Sequence, residues 1–474
     1  MFLCVPLRFS AVSAMKLLTY TTAATLVAAC AIGPDYQRPE VDLPKDLGVA
    51  QSTAPASEKW WTLFHDPVLD KLVEEALVAN RDLKAAAYRI EQARAQFTIA
   101  RSAQSPDAGV EYNASRTRLS EQASGSAQIP PQFIESSDHR LVLRASWELD
   151  FWGKFRRATE AARAELAASE AGAEAIRRSL VGEVVRGYFT LRALDRRLEF
   201  LEATRDGWQT ATGLMKLRLD GGLSNELEYR QVESNLRAAL ARVPVARQQR
   251  AAQEGLLAML LGRSPREVFA ADVARGDPTT PDAVEVPAGL PSDLLLRRPD
   301  LREAEEHLHA ANARIGVARA RYFPSITLTG FYGGESTDLS ELFKAPARTW
   351  GVAGNLLQPL FAGGQIRGGV EFADAQTKEA AELYQKAIQN AFREVREALL
   401  AQTNLREAHL AQLEHERALA RTAELAKLRY DNGAVGLLDL LEAERQRVAA
   451  TIEMIDAERD RRSAIVDLYL ALGA

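Results

Sequence analysis

The 474-residue chain has only two cysteines, Cys4 and Cys30, which excludes a disulfide framework and a cysteine-based metal site. Histidine is equally sparse. His307 and His309 lie two apart on different faces of a helix and read as solvated, and His409 and His415 are poorly spaced as metal ligands. Beyond residue 15 the methionines are Met215, Met259 and Met454, which disfavours a methionine-lined path for soft metal ions. No apolar run approaches the roughly 18 residues of a transmembrane helix. Lys and Arg total 59 against 64 Asp and Glu, a net charge of -5, so there is no electrostatic case for nucleic-acid binding. No Ser/His/Asp set, paired-carboxylate set or zinc motif occurs. The glycines from Gly363 to Gly369 lack the Lys-Ser/Thr that a phosphate loop requires. Neither an enzyme nor a cofactor is expected.

The cysteine that does stand out is Cys30. A short uncharged run from Thr21 to Ala29 follows Met15-Lys16, and Val27-Ala28-Ala29 places small residues just before the thiol. This arrangement suits a lipoprotein signal peptidase, and the run has the length of a signal-peptide core. Residues 1–29 are therefore predicted to be a signal peptide, with 1–14 an upstream start-site extension. Cys30 becomes the lipidated N-terminus, where acylation by more than one chain gives stable anchoring. Ala31, with no aspartate at that position, is expected to permit outer-membrane sorting.

The remainder divides into an extended segment, 30–65, and two copies of one unit, 66–285 and 286–474. Asp82-Leu83 matches Asp300-Leu301, and Pro106 matches Pro324. Lys216-Leu217-Arg218 matches Lys427-Leu428-Arg429, Gly222 matches Gly433, and Leu257, Leu261 and Gly262 match Leu468, Leu472 and Gly473. A period of about 210–220 residues is a duplicated domain-sized unit, far too long for a solenoid repeat.

Each unit reads helix, strand, strand, long helix, turn, helix. The first helix is predicted from Asp66 to about Ala103. Leu141 to Phe151 alternates strictly, with Leu141, Leu143, Ala145, Trp147, Leu149 and Phe151 opposite Val142, Arg144, Ser146, Glu148 and Asp150. That period of two marks a strand between an apolar medium and water. Asp107 to Arg118, Ser325 to Gly333 and Arg348 to Leu360 supply three more strands, with loops at Leu119 to Ser137 and Gly334 to Ala347. Long helices follow at Lys154 to Leu219 and Gln365 to Asp431, each spanning on the order of 100 Å. Four strands cannot close a membrane barrel, so a membrane role demands oligomerisation, to eight strands in a dimer or twelve in a trimer.

Several ordered motifs resemble the outer membrane factor family, the TolC-like, NodT-type lipoproteins of tripartite efflux systems. They are Cys30 to Pro39, Trp60-Trp61, Asp66-Pro67, Leu296-Arg297-Arg298-Pro299-Asp300 and Tyr322-Phe323-Pro324. The resemblance implies a mainly helical fold with a membrane β part, forming a homotrimer that closes a 12-stranded barrel above a helical α-barrel. It also implies a passive outer-membrane duct for small toxic compounds, engaged by a periplasmic adaptor and an inner-membrane pump and surrounded by outer-membrane lipid. A duct for protein secretion is the alternative, and a purely structural coiled-coil spacer is disfavoured by the alternating strands.

By motif position the resemblance places adaptor contacts at two helix–turn–helix tips. These hold Arg218, Gly222, Leu223 and Ser224, and Arg429, Gly433, Val435, Gly436 and Leu437. It places a periplasmic gate on the last helix, with Leu438 as apolar constriction, Glu442 as acidic ring and Arg445 as its partner cation. The spacing i, i+4, i+7 sets all three on one helix face. The family's usual acid is aspartate; this chain carries the longer glutamate.

Overall fold

A computed structural model describes residues 31–42, 59–120, 135–270, 272–277, 279 and 298–473. The duplicated units appear as α1 (Pro67–Ala79), α2 (Arg81–Ser102), β1 (Asp107–Arg118), β2 (Glu135–Leu149), α3 (Lys154–Asp220), α4 (Glu226–Leu260) and α5 (Pro265–Ala270). The second copy contributes α6 (Pro299–Ala320), β3 (Ser325–Ser336), β4 (Arg348–Leu357), α7 (Gln365–Asp431) and α8 (Leu437–Ala471). The chain condenses into two compact units, and each draws on both copies. Among the described residues, one comprises 31–40, 91–120, 135–168 and 304–384; the other comprises 41–42, 59–90, 169–270, 272–277, 279, 298–303 and 385–473.

The first unit carries a four-stranded antiparallel sheet in the order β1-β2-β3-β4. β2 begins at Glu135, ahead of the expected Leu141. Its first six residues are polar and show no apolar alternation, yet they pair with β1 from Arg118 opposite Glu135 to Asn113 opposite Arg140. β3 runs on to Ser336, whereas β4 stops at Leu357, short of Leu360. There the Gln358 side chain donates to Tyr322 O at 3.1 Å, and Pro359 offers no backbone donor.

The second unit has the main core. Trp60 stacks on Tyr469 at 5.5 Å, and Phe64, Leu69, Val184, Phe189, Leu257 and Leu261 are fully buried around them. The buried Asp66 caps α1 by accepting from Val68 N at 2.9 Å and receives the Tyr188 hydroxyl at 2.6 Å. Burial foremost, and then that carboxylate, raise the Tyr188 pKa, so the phenol stays a donor.

The single first helix expected from Asp66 to Ala103 is instead two. Asn80 adopts an extended ψ of 138°, its side chain accepts from Asp82 N and Leu83 N, and its amide donates to Leu260 O at 2.8 Å. A cap residue inside an unbroken apolar pattern made the break invisible to periodicity.

Close beside it Gly262 sits at φ 72°, where a Cβ would lie 2.3 Å from Ala79 O. Gly262→Ala is expected to destabilise the fold by more than about 2 kcal/mol, from left-handed strain plus the clash. Gly255→Ala, on α4 with open space around it, should cost nothing. Denaturant unfolding of both proteins in detergent checks this, and equal midpoints would refute it.

Candidate functional site

The two hairpin turns are built alike. At the first, Gly222 has φ 69°, Leu223 N donates to Arg218 O at 2.8 Å and Gly222 N donates to Leu219 O at 3.0 Å. At the second, Gly433 has φ 71°, Ala434 N donates to Arg429 O at 2.8 Å and Gly433 N donates to Tyr430 O at 2.9 Å. This is the Schellman closure, in which a left-handed glycine lets the last carbonyls be satisfied. Lys216 pairs with Asp220 and Lys427 with Asp431 at matching places one turn earlier.

The turns differ in their next residues. Leu223 is exposed, while Ser224 donates to Glu228 at 2.6 Å. In the second turn Gly436 N donates to Asp439 Oδ2 at 3.1 Å and starts α8. Leu437, expected among the outward tip residues, is buried with Met215, Val232 and Leu441. Its side chain belongs to the packing between hairpins, because it lies one residue inside the helix on the face towards α3 and α4. Next to this cluster lies a cavity of about 510 Å³, lined by Trp208, Met215, Tyr430, Leu440 and Leu441 among others.

The three gate candidates all lie on the exposed side of α8. Leu438 is 67% exposed. Arg445 grips Glu442 in bidentate fashion, Nε to Oε2 at 3.0 Å and Nη2 to Oε1 at 2.7 Å, and the Gln446 amide adds a third bond at 2.7 Å. The hydrogen bonds from Arg445 and Gln446 hold the Glu442 carboxyl below its ordinary range. Within one chain it is therefore ionised at neutral pH.

The sheet sorts its side chains by face. On one face the register aligns Val110, Leu143, Tyr332 and Trp350 in a row, all exposed, with Ala145, Gly330 and Val352 in the next apolar row and Leu149, Ile326 and Leu356 further on. On the other face Arg144 lies 3.8 Å from Glu111, and Arg140 lies 3.6 Å from Glu335 and 4.6 Å from the centre of the Phe331 ring. Val142 belongs to that polar face by alternation but is only 4% exposed, opposite Gly333. A Cβ on Gly333 would stand 2.0 Å from Leu141 O, so the strands approach closely there and enclose Val142.

Sequence reasoning gave the segment after Cys30 no contacts. Ile32 N donates to Trp152 O at 3.1 Å, Asn312 donates to Pro34 O at 3.0 Å and Arg157 reaches Asp35 at 2.7 Å. Arg38 and Tyr36 both donate to Glu305. Gly33 touches Gly316, and that glycine pair was the available signal of a close backbone approach. His309, expected to be solvated, is half-buried. It stacks on Tyr36 at 4.8 Å, with Nε2 3.3 Å from Glu160. His307 is exposed but lies 3.1 Å from Glu165. Cys30 lies outside the described residues.

Comparison with known proteins completes the picture. The family described as outer membrane efflux protein matches residues 72–263 and 290–474. The chain belongs to that family. It is an outer-membrane efflux channel whose helical part extends into the periplasm. The cation efflux system protein CusC of Escherichia coli O6:H1 is 33% identical over 467 residues, covering 97% of this channel and 99% of its own length. The toluene efflux pump outer membrane protein TtgI of Pseudomonas putida is 33% identical over 460 residues, with 94% and 96% covered. The crystal structure of the Campylobacter jejuni CmeC outer membrane channel superposes with a TM-score of 0.89 at 29% identity, covering 94% of this channel and 95% of that chain.

Proposed function

We propose that three copies of the chain close one duct, lipid-anchored at Cys30, which serves as the outer-membrane exit of a tripartite efflux system. The observation that carries the assembly of several chains is the sheet: four strands with one exposed apolar face and an edge strand on each side. Four strands leave a membrane barrel unclosed; eight from two chains or twelve from three would close it, and the trimer is the assembly that membership of the family implies. Arg218, Gly222, Leu223 and Ser224, with Arg429, Gly433, Val435 and Gly436, form the surface that meets a periplasmic adaptor, which in turn engages an inner-membrane pump. Leu437 contributes to that surface from behind, by holding the two hairpins together. Leu438, Glu442 and Arg445 line the periplasmic gate.

The cargo is small and is chosen by the pump. Relatives of equal identity are named for cations and for toluene, so overall similarity does not select between them. Every relative and solved structure named above is an efflux component or outer membrane channel, and nothing favours the protein-secretion alternative.

Two measurements test the assembly. Native mass in detergent should equal three chains; a monomer or dimer would overturn the trimer. Mass spectrometry of the mature protein should find a lipid-modified N-terminal peptide beginning at Cys30, with Cys30→Ser abolishing the modification. An unmodified chain beginning at Met1 or Met15 would refute the anchor.

A further inference from the structure

The two ends of the sheet's apolar face differ in charge. Helices join all four strands at one end, and the helical part extends into the periplasm, so the β3–β4 connection lies at the outward end. From the row of Val110, Leu143, Tyr332 and Trp350 inward to Leu149, Ile326 and Leu356, this face holds no charged residue. One row further outward, Tyr112, Leu141, Gly334 and Arg348 stand side by side. Beyond them on β1, Arg116 and Arg118 share one carboxylate, that of Glu135, at 3.0 Å each. Arg348 is exposed and makes no ion pair or side-chain hydrogen bond among the described residues.

The chain between β3 and β4 folds back over this face. A Cβ on Gly334 would lie 2.4 Å from Leu342 O, so the returning chain crosses where the sheet has no side chain. Leu342 is buried there, which leaves the next residue, Phe343, 81% exposed. The result is a cleft of about 370 Å³ with Val110, Leu143 and Tyr332 as an apolar floor and Phe343 as a wall. Its cations are Lys344 and Arg348. Lys344 pairs with Glu341 at 2.6 Å, but both side chains are exposed, so the pair opens at little cost.

We propose that this cleft binds a phosphorylated glycolipid of the outer leaflet, of the lipid A type. The inference goes beyond the efflux duct and rests on the apolar face meeting lipid. The floor and Phe343 take an acyl chain. Arg348 takes the phosphate through its two-pronged fork, and Lys344 adds a point charge. A guanidinium on a lipid-facing surface is costly unless it reaches water or an anion at its own depth, and a headgroup phosphate supplies that anion. Charge complementarity selects the leaflet. Among the described strand residues of this face the cations are confined to the outward end, where such a glycolipid presents its phosphates. A phospholipid of the inner leaflet meets the uncharged rows instead.

Native mass spectrometry of the full-length protein in detergent, titrated with lipid A, tests this. The wild type should retain lipid A, and Arg348→Gln with Lys344→Gln should bind it about tenfold more weakly or worse. Arg367→Gln with Lys378→Gln removes the same charge from exposed positions on α7 and should bind like wild type. Further arms need no variant. Lipid A stripped of its phosphates, and phosphatidylglycerol, should each bind the wild type about tenfold more weakly than lipid A. An excess of inorganic phosphate should leave bound lipid A in place. Equal retention of lipid A by the wild type and the Arg348/Lys344 variant overturns the site, as does equal binding of the dephosphorylated lipid. Phosphatidylglycerol bound as tightly as lipid A overturns the outer-leaflet assignment. Displacement by inorganic phosphate reduces the cleft to a plain anion site and overturns the lipid.

Discussion

Replacing Glu442 and Arg445 together by alanine is expected to raise single-channel conductance several-fold in planar bilayers and to sensitise cells to large antibiotics. In one chain the two side chains form a bidentate pair reinforced by Gln446, directly beside the exposed Leu438. In the proposed trimeric gate this would bring three carboxylates and three guanidinium groups to one constriction. Charged pairs with two parallel hydrogen bonds are stronger and more directional than neutral contacts. Without them, apolar contact at Leu438 is left alone to hold the closed state. Glu226→Ala, which removes an acid just past the first tip, is the matched control and should conduct like wild type. Conductance of the double variant equal to wild type would reduce Glu442 and Arg445 to a surface pair.

The pH dependence has a definite sign. The Glu442 carboxyl sits below its ordinary range because Arg445 and Gln446 hydrogen-bond its charged form. The pair's contribution is therefore fully present above the usual glutamate pKa of about 4.3 and is lost as pH falls through the lower folded value. Wild-type conductance should accordingly stay low from neutrality down to about pH 4 and rise below that. A rise between pH 7 and 5 would show that repulsion within the ring outweighs the pairing.

The second large effect concerns the sheet. Leu143→Arg should abolish most trimer assembly, whereas Ser146→Arg should leave it near normal. Leu143 stands in the exposed row with Val110, Tyr332 and Trp350, on the face assigned to lipid. A charge there costs roughly 2–4 kcal/mol per chain near the midplane, hence roughly 6–12 kcal/mol per trimer. Ser146 is exposed on the opposite face, opposite Asp107 and Thr329. Val142 shares that face but makes a poor control, because it is enclosed and an arginine there would be buried for reasons unrelated to lipid. Equal loss of trimer at Leu143 and Ser146 would count against a membrane strand.

Much of the fold was legible because strong local rules coincide with it. The period of two from Leu141 to Leu149 and the Gly-bearing turns at Gly222 and Gly433 each have one physical solution. The errors fall where partners outside the local segment decide. Residues 135–140 are polar and become strand because β1 is opposite them, with β3 also opposite His139 and Arg140. Asn80 breaks a helix through a bond to Leu260, nearly the length of a repeat away. Leu437 turns inward because Met215 and Val232 are there to receive it. His309 is held by Tyr36 and Glu160, neither of which its own helix reveals. Glu442 and Arg445 were readable as a pair from their spacing alone, whereas a gate takes three chains to form.

The two hairpins of each chain end in turns with the same backbone bonds and the same preceding Lys–Asp pair. In the proposed trimer, two such turns per chain would offer a partner six nearly equivalent footholds. A segment that recognises the shared turn need hold any one of them only weakly. After the first engagement the rest are met at high effective concentration, and attachment can strengthen by about 10²–10⁴ with no new kind of contact. Differences such as Leu223-Ser224 against Ala434-Val435 would then distinguish the two kinds of foothold. On the proposed assembly, the duplicated turn would make avidity, rather than any single tight contact, the basis of attachment.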